Sequence, residues 1–164
     1  MIPSRKLLML GGLSLALLGM LYGLYFALYV EHQTLEQLGG ALAQSFSTAA
    51  ARDFPSSQAA LHRYGDTKYD YVRQVDAHSH WVGLAILLIL LAPLFDRVNF
   101  SERARQAIAL CLIVGSVVFP LSVILQTFQH GSPVFKGLAV GGSGLVIVGL
   151  AATAWGFARQ RELA

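Results

Sequence analysis

Long apolar runs bounded by charge set the pattern of this chain. Leu7 to Val30 is about 24 residues without a charged side chain, and at about 1.5 Å per residue a helix of that length exceeds the roughly 30 Å hydrocarbon core of a bilayer. A second run, Trp81 to Phe95, reaches back to Ala77 when His78 and His80 are neutral, which is just long enough to cross. Ala107 to Phe128 and Val134 to Phe157 complete a set of four, the last interrupted only by Lys136 near its start. The pattern predicts an all-α protein, a bundle of four transmembrane helices over about 7–30, 77–95, 107–128 and 134–157, forming one membrane domain over 1–164.

Residues 31–76 form a segment too long for an ordinary connection. Leu35, Leu38, Leu42 and Phe46 recur at helical spacing, Phe54-Pro55 breaks the run, Ser56-Ser57 offers a cap, and Gly65 offers a stop before a third run starting at Thr67. The reading is two or three short amphipathic helices lying over the outer mouth of the bundle.

Composition sharpens the membrane assignment. Of the 164 residues 55% are hydrophobic and only 13% charged, half the charged fraction of an ordinary soluble domain. The net charge of +3 does not signal nucleic acid, because the basic residues flank apolar runs instead of gathering on one face. Arg5, Lys6, Arg97, Arg103, Arg105, Arg159 and Arg161 all fall on one side of the predicted topology. Positive residues are retained in the cytoplasm, so both termini are expected there, in a bacterial inner membrane. The first apolar run is too long for a cleavable secretory leader and is read as an uncleaved anchor. Cys111 stands alone, which excludes an intramolecular disulfide and an iron–sulfur cluster, and the missing Cys-x-x-Cys-His excludes covalent haem attachment.

Candidate chemistry lies in the histidines. On this topology none is on the cytoplasmic half, and four sit at outer span ends: His32 after the first, His78 and His80 at the start of the second, His130 after the third. Neutral imidazole is the commonest metal ligand and the usual axial ligand of b-type haem, and bundles build such sites from facing helices. His32, His78, His80 and His130 are therefore candidate haem b ligands, and His78, His80 and His130 a candidate metal set, with copper the alternative. Two residues apart on a helix means about 200° around it, so His78 and His80 face different neighbours. Asp76, one turn from His80, is a candidate orienting carboxylate, and Glu31 and the Gln126 amide are candidate partners for the other imidazoles. Ser122, Gln126 and His130 form one polar stripe on the third span, costly at membrane depth unless paired or used. Gly19-xxx-Gly23 and Gly137-xxx-Gly141 read as helix-packing motifs.

The run Asp76-Ala77-His78-Ser79-His80-Trp81-Val82-Gly83-Leu84 resembles the His-x-His helix start of small four-helix bacterial membrane proteins and, more distantly, histidine-bearing helices of haem-containing respiratory subunits. That resemblance implies a non-covalent haem near the outer surface, with axial roles on His80 or His78 and on His130. Three functions are expected: electron transfer between the membrane quinone pool or a partner subunit and a periplasmic redox protein, service as a cofactor-free accessory subunit of a larger membrane complex, or copper binding at the outer histidines.

Overall fold

A computed structural model describes residues 3–159, so Arg161, counted above for orientation, lies outside the described residues. Five α-helices are present among them: α1 (Ser4–Tyr29), α2 (Glu31–Ala50), α3 (Phe54–Leu91, continued by a 3-10 stretch over Ala92–Arg97), α4 (Glu102–Phe128) and α5 (Pro133–Ala158). Four of these, α1, α3, α4 and α5, are long and apolar enough to cross a membrane. In α3 the apolar part is the stretch after Asp76, because Arg63, Asp66, Lys68, Asp70, Arg73 and Asp76 crowd what precedes it.

The bundle is laid out so that α3 packs against α1 on one side and α4 on another, while α5 packs almost wholly against α4. The α4–α5 seam depends on glycine. A Cβ on Gly142 would come within 2.7 Å of the Phe119 backbone nitrogen, and one on Gly149 within 2.7 Å of the Leu112 side chain. Gly142, Gly149 and Gly156 recur every seven residues, so they share a face with buried Val146 and Thr153. By contrast Gly137 and Gly141 face open space. The expected packing motif at those two positions is not used within the chain.

Both described ends meet at one end of the bundle. The Ser4 backbone N–H donates to Glu102 Oε1 at 2.6 Å, and Asn99 donates from its backbone to the Gly156 carbonyl and from its side chain to that of Arg159. Leu10, Leu17, Leu24, Val140 and Ile147 are exposed along the outside of α1 and α5, where lipid would cover them.

The opposite end differs from the expectation of short helices over a mouth. After Tyr29 the backbone bends only at Val30, where helical hydrogen bonding is kept on both sides, and resumes as the 20-residue α2. The real break comes at Ala51–Asp53, with Arg52 in the left-handed region (φ 61°), and Asp53 caps α3 by accepting from Ser56 N–H. Helix α3 then runs 38 residues through Gly65 without a stop. An interior glycine costs about 1 kcal/mol of helix propensity, too little to end a helix packed on both sides of it. Together α2 and the first half of α3 make an antiparallel hairpin. From Asp70, where α4 ends alongside, to Phe54 the helix rises about 24 Å, so the hairpin stands clear of the other helices.

Candidate functional site

The structure separates the histidines expected to converge. His78 turns toward α1, where its ring lies in the gap left by Gly23 and its Nδ1 meets the Gly19 carbonyl at 3.0 Å. A carbonyl only accepts, so Nδ1 carries a proton, and in the neutral ring Nε2 keeps the lone pair. His80 turns the other way, exposed, with its ring 4.7 Å from that of Phe119 on α4. The expectation that the two face different neighbours matches this placement. His130 points to α3, its Nε2 at 2.7 Å from Asp70 Oδ1. His32 and His62 lie on the hairpin, each pairing with a carboxylate four residues on, Glu36 and Asp66. Among the described residues no group of three or more His, Cys, Asp or Glu side chains is placed to hold a metal ion. Each helix supplies its imidazole on a face set by its own packing, so a shared level in the bundle did not become a shared point.

Two polar clusters form instead. Between α3 and α4, Tyr69 donates to the buried Gln126 Oε1 (3.3 Å), the Gln126 amide donates to the Ser122 carbonyl, and Ser122 donates to that of Val118. The Tyr69 ring also meets His130 edge-on at 4.9 Å and carries the Arg73 guanidinium 4.9 Å above it. The polar stripe of α4 is thus paired along its length, which removes its cost at membrane depth. Asp76 lies on the flank of α3 in an open groove with Tyr69 and Arg73. Between α1 and α3 Tyr22 donates to Gln74, and at the start of α2 Glu31 Oε1 accepts from Tyr71 of α3 at 3.5 Å.

The hairpin carries the feature the sequence reading missed. Its seam is made mostly of small and polar residues, Thr34, Ala41, Ser45 and Thr48 on α2 against Ser57, Ala60 and Thr67 on α3, with Leu38 and Tyr64 the two larger side chains among them. Ser57 Oγ donates to the Ser45 carbonyl at 3.0 Å across it. The larger apolar side chains point elsewhere. Leu35, Leu42 and Phe46 are 48%, 36% and 68% exposed, and Phe54, Leu61 and Val72 are 67%, 49% and 42% exposed. On each helix these residues recur at seven, four or eleven positions, so they line one face about 100° from the seam in the same rotational sense. In an antiparallel pair, equal offsets of the same sense bring both stripes to one side of the hairpin. The other side holds Gln37, Gln44, Arg63 and Asp66, with Arg63 donating to Gln44 Oε1 at 2.8 Å. The hairpin is amphipathic as a unit.

No family model, curated protein or solved structure matches this chain.

Proposed function

We propose that this protein is a membrane-anchored accessory subunit that holds an amphipathic helical hairpin above the bilayer to dock a protein partner, with both termini in the cytoplasm and the hairpin in the periplasm. The observation that carries this reading is the apolar side of the hairpin. Helix stability in proteins comes mainly from packing an amphipathic face, and here the seam spends its contacts on small residues while six large apolar side chains stand free. A contiguous exposed apolar face on a segment raised off the membrane marks an interaction surface. The nearly balanced charge of Glu36, Arg52, Asp53, Arg63, Asp66 and Lys68 gives an acidic or basic partner no preference. One or two amphipathic helices laid along Leu35, Leu42 and Phe46 would complete a small bundle. The test is native mass in mild detergent from the source membrane, for the natural chain and for the Leu42→Glu/Phe46→Glu variant. A discrete complex larger than this chain, lost in the variant while helix content holds, is expected. A natural chain that migrates as the variant does overturns the reading.

A haem or metal function keeps one supporting observation, the contact of His78 Nδ1 with the Gly19 carbonyl. A backbone carbonyl on Nδ1 and a lone pair on Nε2 is how a ligating histidine is held. The sequence likeness over Asp76–Leu84 agrees with it. An oxidised and dithionite-reduced absorption spectrum with metal analysis tests it: a Soret band lost in His78→Ala and His80→Ala supports haem b, bound copper supports the alternative, and a colourless, metal-free preparation overturns both.

A further inference from the structure

Where α1 bends at Val30, the α1–α3 seam opens into a cavity of about 270 Å³. Its walls are apolar: Phe26, Ala27 and Val75, with Gly23 at the floor. Its polar groups sit at the two ends. His78 closes the deep end with Nδ1 committed to Gly19, so the atom it has left to offer is the Nε2 lone pair. Glu31 and Tyr71 close the outer end, Tyr71 donating to Glu31 Oε1 and leaving the remaining carboxylate lone pairs as acceptors. His78 and Tyr71 are seven residues apart on one continuous helix, about 10.5 Å along its axis.

An apolar slot with an acceptor at each end selects a ligand with a donor at each end. Two acceptors facing one another across apolar walls have no use for a second acceptor. The volume lies just below the range of about 300–1,000 Å³ usual for drug-sized ligands, which admits one ring and not a macrocycle, so occupancy of this slot and haem ligation by His78 are mutually exclusive. A ring with hydroxyls at its para positions presents one donor toward each end of such a slot. The slot also lies at the end of a membrane-spanning helix, within reach of a molecule dissolved in the bilayer.

We propose that the α1–α3 cavity binds the headgroup of a lipid-soluble hydroquinone, one hydroxyl donating to His78 Nε2 and the other to the Glu31 carboxylate. The oxidised quinone offers only acceptors and is excluded by the same two groups. This assignment stands independently of hairpin docking, since it uses no residue of the exposed apolar face.

The test is calorimetric titration of the protein in lipid nanodiscs, under anaerobic conditions, with duroquinol and with duroquinone, against empty nanodiscs. At least ten-fold tighter binding of duroquinol than of duroquinone is expected. His78→Asn keeps a donor for the Gly19 carbonyl and loses the Nε2 acceptor, and Glu31→Gln removes the charge and turns one of the two acceptor oxygens into a donor. Each should weaken duroquinol binding ten-fold or more, with the thermal transition checked in the same samples. Should either variant fail to fold, Ala27→Leu fills the slot from an apolar wall and should abolish binding alone. Heats equal to those of empty nanodiscs, equal affinity for the two redox forms, or undiminished binding in Ala27→Leu would each overturn the assignment and leave a seam filled by water.

Discussion

Gly142 and Gly141 are adjacent in sequence, yet replacing each by alanine should have opposite consequences. A Cβ at Gly142 would stand 2.7 Å from the Phe119 backbone nitrogen and 2.9 Å from its Cα, and backbone cannot swing aside as a flexible side chain can. Reaching the 3.4 Å at which contact becomes ordinary requires α4 and α5 to part locally by about 0.7 Å. A gap of that size forfeits roughly a quarter to a half of the dispersion attraction at each contact along the seam. Overpacking of this kind costs about 1–3 kcal/mol, and because α5 packs almost wholly on α4 there is no second neighbour to share the load. At Gly141 the new methyl meets nothing within 4 Å, and alanine has the better helix propensity by roughly 1 kcal/mol. The assay is thermal unfolding of the purified protein in one detergent, followed by tryptophan fluorescence from Trp155 on α5. Gly142→Ala should lower the midpoint by several degrees, whereas Gly141→Ala should leave it unchanged or raise it. Equal destabilisation by the two substitutions would refute the assignment of faces on α5.

Further outcomes follow from other contacts. Tyr69→Phe leaves the buried Gln126 Oε1 without its donor and should destabilise the protein by about 1–3 kcal/mol, read as a lower midpoint that Tyr69→His does not fully restore. Asp70→Asn weakens the 2.7 Å link to His130, and should loosen the C-terminal end of α4, measured as faster amide exchange over 124–130 with the N-terminal half of α4 unchanged. The hydrogen bonds from Ser56 hold the Asp53 carboxyl below the usual carboxylate range. A depressed folded-state value means the cap contributes fully at neutral pH and is lost as the pH falls through that depressed value. Proteolysis at the 51–53 turn should therefore accelerate at acid pH in the natural chain, while Asp53→Ala should be cleaved faster at neutral pH and lose that acid dependence.

The spans were legible because each is an uninterrupted apolar run between charges, and bilayer thickness leaves little choice about their length. The opposed directions of His78 and His80 were legible too, since a separation of two residues fixes their angle on any helix. The hairpin was harder to read. Leu35, Leu42 and Phe46 form a more hydrophobic stripe than Ala41, Ser45 and Thr48, and a period alone favours the larger side chains for burial. The seam was decided by the partner: Ser57 and Ala60 offer small surfaces that let the two backbones approach, and the Ser45–Ser57 hydrogen bonds reward that choice. Phe54-Pro55 looked like a break because proline starts helices as readily as it ends them, and at the first turn of α3 it does the former. For the same reason of non-local choice, nothing near His130 in sequence announced Asp70, and nothing near Gly137 or Gly141 announced that α4 would meet Gly142 and Gly149 instead.

The central claim, that the apolar side of the hairpin is a docking face, is tested most directly by photocrosslinking in the source membrane. A photoreactive side chain is placed singly at Leu35, Leu42, Phe46 and Leu61 on the apolar side, and at Gln37 and Arg63 on the polar side. The account predicts one adduct of constant mass from all four apolar positions and none from the two polar ones. Adducts from both sides alike, or from neither, would contradict it.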